Sequence, residues 1–310
     1  MSRRAVIFPG QGAQAVGMGK GLAEAFPECM ELFRRANEVL GHDLAKICFE
    51  GPIEELTKSS RAQPAIFVVS LACYKALLAT RPQTQIAAAA GLSSGEWTAL
   101  NIAGVLSYDD TLRILEARGR FMQEACEERP GGMLSVIGLA LDQLQKVAVE
   151  TGAEIANINS PEQVVLSGPK ECIQAAEKMV KDLGARMAIP LNVAGAFHSS
   201  LMVSAAIRLE QFLAGIPFAA PSMTVISNVS GGAHGSPEEI KKAMVQQVTG
   251  SVQWVSGVHW MKNQGITEYI ECGPGKVLTG LIRRIDKPAV LHNIQDRPTL
   301  DAVTGRMSDS

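Results

Sequence analysis

Aromatic residues are scarce, at 5% of the 310-residue chain, and charge of neither sign dominates. With 29 Lys and Arg against 31 Asp and Glu, the net charge is -2. The basic excess that nucleic acid or an anionic membrane surface calls for is missing, and neither partner is expected. Long hydrophobic runs are lacking too. The longest, Ala65 to Leu78, is interrupted by Ser70, Tyr74 and Lys75 and stops short of the ~20 residues of a membrane span, so it predicts a buried helix. Met1-Ser2-Arg3-Arg4 leads straight into a strand-like run without the apolar centre of a signal peptide. The six cysteines (Cys29, Cys48, Cys73, Cys126, Cys172 and Cys272) form no C-x-x-C pair, and the five histidines show no H-x-x-x-H spacing. A disulfide framework and a structural metal are therefore not expected, and a reduced, cytoplasmic setting is.

What the chain does have is material for a core: 46% hydrophobic residues against 19% charged ones. In the first half, strand and helix patterns alternate, as in a mainly parallel α/β sheet. Ala5 to Phe8 reads as a short buried strand ending in Pro9-Gly10-Gln11-Gly12. Met30 to Leu40 has helical periodicity, and Pro64 suits the first turn of a helix reaching about Thr80. Ile86 to Ala90 is a second strand. Ser107, followed by Asp109 and Asp110, caps a helix to about Ala125. After the polar stretch 127–132 the order becomes strand (133–137), helix (141–151), strand (154–157), strand (163–167), helix (169–183), strand (186–190), a ferredoxin-like β-α-β-β-α-β series. The expected fold is a large hydrolase-like α/β domain from 1–127 and 196–310, with a small ferredoxin-like domain inserted at 128–195. The larger domain resumes with a helix from Leu201 and a strand at 223–227, then helices from Glu238 and after Val252. A strand at 267–272, a helix from Lys276 and a strand at 289–294 complete it. The tail from Thr304 is expected to be loose.

The segment Gly91-Leu92-Ser93-Ser94-Gly95-Glu96 lies between a strand and a helix-like run. A serine flanked at that spacing by glycines reads as a nucleophile elbow, which turns the backbone tightly and holds the hydroxyl in a cleft. The next N–H, that of Ser94, would sit at the positive end of a helix, where an oxyanion is stabilised. The competing reading is a Gly-Ser loop with a capping serine, and Ser94 is the rival nucleophile. A serine needs a base. His198 follows the small domain, where a cleft between domains would form, though it could equally cap the next helix. His42, His234, His259 and His292 fall in loop or surface contexts. Arg118, between Ala117 and Gly119, could fork onto a carboxylate in the cleft or remain a surface arginine. The turn after the first strand could bring the Gln11 N–H to the same cleft.

Taken together and in order, these segments resemble the acyltransferase family of fatty acid and polyketide synthesis, whose members move malonyl groups from coenzyme A to acyl carrier protein. Phe8-Pro9-Gly10-Gln11-Gly12 is similar to that family's FPGQG, Gly51-Pro52 with Glu54-Glu55-Leu56 to GPxEEL, and Gln63-Pro64-Ala65 to TQPA. The elbow is similar to GHSxGE, Arg118-Gly119 with Met122-Gln123 to RGxxMQ, and Asn159-Ser160-Pro161 to NSP. Phe197-His198-Ser199 is similar to FHS, Val252-Gln253-Trp254 to VQW, and 271–278 to ExGPGKVL. The resemblance implies ping-pong transfer. Ser93 is acylated with His198 as base, and the N–H groups of Gln11 and Ser94 hold the oxyanion. Arg118 receives the malonyl carboxylate, and a backbone carbonyl near Gln247 orients the imidazole. Asn159 joins the substrate site, and Phe197 favours malonyl over methylmalonyl by crowding an α-methyl group. No resident cofactor is implied, since the phosphopantetheine belongs to the carrier protein, and the family pattern implies a monomer. Lys276, Arg283 and Arg284 could meet an acidic carrier or simply face solvent. Leu92 departs from the family's histidine, Val203-Ser204 from Lys-Pro, and Ser251 from a proline. Two other readings stay open: a serine hydrolase, against which a cation at Arg118 speaks, and a catalytically silent carrier-binding module, for which Leu92 speaks.

Overall fold

The computed structural model describes residues 3–306. In chain order the elements are β1 (Arg3–Phe8), α1 (Lys20–Ala25), α2 (Pro27–Leu40), α3 (Leu44–Glu50), α4 (Ile53–Thr57), α5 (Ser59–Thr80), β2 (Ala88–Gly91), α6 (Ser94–Ile102) and α7 (Tyr108–Glu128). There follow β3 (Gly131–Ile137), α8 (Leu141–Thr151), β4 (Glu154–Ser160), β5 (Gln163–Pro169), α9 (Lys170–Asp182) and β6 (Met187–Pro190). A 3₁₀ turn at Ser200–Met202 leads into α10 (Val203–Leu213), then β7 (Thr224–Val225), α11 (Pro237–Gln246), α12 (Trp254–Asn263), β8 (Ile266–Cys272), α13 (Val277–Ile285), β9 (Val290–Ile294) and α14 (Arg297–Thr304).

The first sheet has the order β7-β2-β1-β8-β9, and every pairing in it is parallel. β1 lies in the middle, which explains why Ala5 to Phe8 is apolar without alternation: both faces are covered, and each of the four is 0% exposed. Its register sets Phe8 opposite Gly91, so β1 and β2 end side by side. Ligands bind beyond the carboxyl ends of parallel strands, and both candidate turns leave from that edge.

The second sheet is antiparallel, with the order β4-β5-β3-β6 and α8 and α9 packed on it. This is the ferredoxin-like arrangement. Its two faces separate by strand alternation. Leu134, Val136, Val164 and Leu166 join the helices in a local core, whereas Met133 and Val165 turn to the main core. Backbone bonds tie β4 to the segment before α12, with Val252 N–H donating to Ala156 and Ile158 N–H to Val252.

Several elements differ from the sequence reading. Pro64 lies inside α5 and not in its first turn, because the helix already begins at Ser59, where the Lys58 carbonyl accepts the N–H groups of Arg61 and Ala62. Only the first four N–H groups of a helix lack an internal partner, so Pro64 gives up one helical bond. At 22 residues α5 is long and apolar enough to cross a membrane, but here it is a core helix, with Ala62 to Tyr74 buried throughout. The strand expected at 223–227 shrinks to Thr224–Val225 at the sheet edge, and α1, α3, α4 and α14 form where no helix was expected. Thr304 closes α14, and 307–310 of the expected loose tail lie outside the described residues.

Candidate active site

The elbow follows from two close backbone approaches. A Cβ at Gly91 would stand 2.0 Å from the Gly95 carbonyl carbon, and one at Gly95 would stand 2.2 Å from the Phe8 oxygen. Only glycine fits at either place. Between them Ser93 has φ 53° and ψ −112°, a conformation that side-chain-bearing residues rarely adopt and that costs about 1–3 kcal/mol. Long-range bonds hold it there. The Ser93 N–H donates to Asn228 Oδ1 at 2.7 Å, and Asn228 Nδ2 donates to the Gly91 carbonyl at 2.7 Å.

His198 also has a positive φ, 56°, and is 5% exposed. Its Nε2 lies 2.8 Å from Ser93 Oγ and its Nδ1 lies 2.8 Å from the Gln247 carbonyl oxygen. A carbonyl can only accept, so Nδ1 carries the hydrogen and the Nε2 lone pair faces the hydroxyl. Burial, reinforced by the charge of Arg118, lowers His198 to about 4, so the ring is neutral at neutral pH.

Arg118 projects from the middle of α7 and is 1% exposed. Among the described residues no carboxylate sits in its fork, contrary to the simplest expectation for a buried arginine. Nη1 donates to Gln63 Oε1 at 2.7 Å, while Nη2 donates to Gln247 Oε1 at 2.9 Å and to Ser93 Oγ at 3.2 Å. Its Nε is buried and has no partner among the described residues. Burial lowers the guanidinium to about 10, which still leaves it charged near neutrality. The site thus contains a stable cation, held by neutral amides, with donors to spare.

Ser93, His198, Arg118 and Gln63 line a cleft of about 490 Å³ together with Gln11, Leu92, Asn159 and Phe197, while Gln247 stands outside its lining. Its walls come from both sheets, through the β1 and β2 turns on one side and Asn157, Asn159 and Val165 of β4 and β5 on the other. The Gln11 N–H is 3.2 Å from Ser94 Oγ, and the Gln11 side chain is pinned by Ser59 Oγ at 2.9 Å and by Gln63 Nε2 at 3.2 Å. The Ser94 N–H opens α6, where no helical acceptor exists for it. Asn159 Oδ1 has no partner. No cysteine lines the cleft, and burial pushes the thiol of Cys126 up to about 11 and that of Cys29 to about 12, which rules both out as thiolate nucleophiles near neutrality. Lys276, Arg283 and Arg284 are exposed around α13 and do not line the cleft.

Sequence reasoning missed Asn228, Glu96, the Gln63 side chain and His234. Asn228 follows β7 at the carboxyl edge of the parallel sheet, a position that could have marked it. His234 corrects the surface reading given to it: its side chain is 2% exposed and its Nε2 is 2.7 Å from Glu96 Oε1. A backbone bond from the His234 N–H to the Val225 carbonyl folds this loop inward, and no local pattern announces that.

The family described as the acyl transferase domain matches residues 6–285. A malonyl CoA-acyl carrier protein transacylase of Escherichia coli K12 is 41% identical over 290 residues, 92% of this chain and 93% of that protein. Among solved structures, an acyl carrier protein S-malonyltransferase from Vibrio cholerae is similar with a TM-score of 0.93 and 39% identity, covering 97% of this chain and 100% of that one. A chain from the complex of a type II polyketide synthase acyl-carrier protein with its malonyl-transacylase gives a TM-score of 0.95 at 37% identity, covering 99% and 100%.

Proposed function

The chain belongs to the acyl transferase domain family, and from that premise we propose how its residues carry a malonyl group from malonyl-CoA to the phosphopantetheine thiol of an acyl carrier protein. The protein is an acyltransferase of the S-malonyltransferase kind. One observation carries the residue assignment: Ser93 Oγ is met at 2.8 Å by an unprotonated imidazole nitrogen and at 3.2 Å by a guanidinium. A base and a carboxylate receptor at one hydroxyl suit a charged acyl group.

Ser93 Oγ attacks the thioester carbon while its proton passes to His198 Nε2. The developing oxyanion takes the N–H groups of Gln11 and Ser94. The tetrahedral intermediate collapses, the carbon–sulfur bond breaks, and His198 returns the proton to the departing coenzyme A sulfur. A malonyl ester remains on Ser93. In the second half the carrier thiol gives its proton to His198 and attacks the ester, and Ser93 leaves with that proton. Arg118 offers the malonyl carboxylate its unpartnered Nε–H together with the Nη2–H that faces Ser93 Oγ in the free protein. The Gln247 carbonyl keeps His198 in the productive tautomer. Asn159 Oδ1 is free to accept from an amide N–H of the pantetheine arm, and Phe197 narrows the space beside the α-carbon. No resident cofactor takes part.

Intact-mass measurement after mixing with malonyl-CoA tests this. Expected is one malonyl adduct, absent in Ser93→Ala and discharged by holo-carrier protein. Loss of the adduct to water at the same rate with and without carrier would replace the transferase reading by a hydrolase, and absence of any adduct would replace it by a binding module.

A further inference from the structure

Glu96, the acid that ends the elbow motif, has no part in the reaction above. Its side chain is 1% exposed beneath the elbow. A carboxylate at such depth is tolerated only where donors meet its oxygens. Oε1 accepts the Asn228 N–H at 3.2 Å and faces His234 Nε2 at 2.7 Å. Oε2 accepts from Gln247 Nε2 at 2.5 Å.

The donor count then decides how Gln247 lies. Toward a carboxylate its amide must present the nitrogen. Toward Arg118, which has donors only, it must present the oxygen, and it does so at 2.9 Å. Both ends demand one orientation. In that orientation Nε2 also reaches the Ser93 carbonyl at 3.0 Å, while the backbone carbonyl of the same residue holds His198 Nδ1. Asn228, tied to Glu96 by its N–H, grips the elbow at Ser93 and Gly91 with its side chain. Three members of the site, namely the guanidinium, the imidazole and the strained serine, thus hang on groups that converge on one buried carboxylate.

We propose that Glu96 and His234 form a positioning pair for malonyl transfer. His234 clamps the Glu96 carboxylate at Oε1, the oxygen that Gln247 leaves free, and Glu96 fixes Gln247 and, through it, the fork of Arg118 that receives the malonyl carboxylate. This rests on the transfer reading. Facing a carboxylate, His234 Nε2 carries a hydrogen, and that hydrogen is the pair's contribution. Without it Oε1 keeps one donor, the Asn228 N–H, and the carboxylate can turn away from Gln247. Neither residue touches substrate. Loosening of the elbow costs both substrates, whereas loosening of the guanidinium costs malonyl alone, so the pair's distinctive effect falls on discrimination.

The test compares kcat/KM for malonyl-CoA and acetyl-CoA in wild-type protein, His234→Leu, His234→Gln and Glu96→Gln, with thermal melting alongside. The wild-type adduct on Ser93 checks the transfer reading by itself, and the variants are read against it. Expected is a malonyl-to-acetyl ratio lowered about tenfold or more in His234→Leu and Glu96→Gln, with His234→Gln recovering most of the loss because it keeps an N–H donor. Equal losses for the two substrates, as a general weakening of the fold would give, overturn the proposal. An unchanged ratio overturns it too. Should His234→Leu fail to fold, Glu96→Gln decides: its amide has one oxygen for two donor-facing positions, so its NH2 must meet either Gln247 Nε2 or the Asn228 N–H, and a wild-type ratio there is the refuting result.

Discussion

Acidification tests the proposed role of His198 as general base directly. Burial, with Arg118 close by, lowers His198 from the ordinary 6.5 to about 4. An imidazole of ordinary pKa would leave roughly a tenth of the base neutral at pH ~5.5, and the acylation rate would fall about tenfold from its value at pH ~7.5. With the lowered value nearly all of it stays neutral, and kcat/KM for malonyl-CoA should change less than about twofold over that interval. Quenched-flow measurement of the Ser93 adduct isolates the step from carrier binding. The same shift enters stability. A histidine whose folded pKa is lowered stabilises the fold fully above its unfolded value, and this contribution is lost as pH falls from 6.5 toward about 4. The interval of about 2.5 units, at about 1.4 kcal/mol each, makes the full effect about 3 kcal/mol, of which about 2 is gone by pH ~5. His198→Gln has no such titration, so wild type should lose about 2 kcal/mol of stability relative to that variant between pH ~7.5 and ~5 in urea titrations. A tenfold fall of the acylation rate by pH ~5.5, or a constant stability difference, would show that the ring is not held neutral by its surroundings.

Arg118→Ala should lower kcat/KM for malonyl-CoA by about a hundredfold or more and that for acetyl-CoA by only a few fold, the small common loss reflecting the acceptors left unpaired on Gln63 and Gln247; equal losses would contradict its role. Gly95→Ala places a methyl 2.2 Å from the Phe8 oxygen and should cost about 3 kcal/mol or more in denaturant unfolding, whereas near wild-type stability would refute the close approach. Phe197→Ala should raise the methylmalonyl-to-malonyl ratio of kcat/KM about tenfold, and an unchanged ratio would remove the ring from specificity. Leu92→His should leave the acylation rate within about threefold of wild type, and a large gain would mean that the leucine is a catalytic defect.

How far the sequence led depends on the range of the interaction. Strand, turn and helix around Ser93 are legible because the elbow's constraint is local: its two glycines are required by backbone contacts within the motif and with the neighbouring strand. The ferredoxin-like series is legible for a similar reason, since period-two strands and period-3.6 helices announce themselves over a few residues. Ser107 caps α7 as its position suggests, with its side chain accepting the Asp110 N–H. The start of α5 is not legible, because Pro64 competes as a start signal and the true start at Ser59 has no side-chain cap to mark it, only the Lys58 carbonyl. The partners of Ser93 are less legible still. Asn228 comes from 135 residues away and Gln247 from 154, with no periodicity tying either to the elbow. Glu96 is visible as part of a motif, but its environment is built by His234 and Gln247, and a side chain's surroundings are not written beside it.

That same convergence explains why Leu92 can stand beside the nucleophile. Every polar atom of Ser93 already has a partner from elsewhere: the N–H meets Asn228, the carbonyl meets Gln247, and the hydroxyl meets His198 and Arg118. The work of position 92 is done by its backbone. Its N–H donates to the Phe8 carbonyl at 3.1 Å, and its carbonyl accepts the Gly95 N–H at 3.0 Å, which together close the elbow. Its side chain, meanwhile, packs on an apolar cluster that includes Ile7, Ala90 and Trp254, where a polar ring would find mostly hydrocarbon. A hydrogen bond lost from a site matters when it leaves a buried group unpaired, and the polar atoms of Ser93 itself are all paired beside the leucine. The departure from the family's histidine therefore falls at a position that closes the elbow through its backbone.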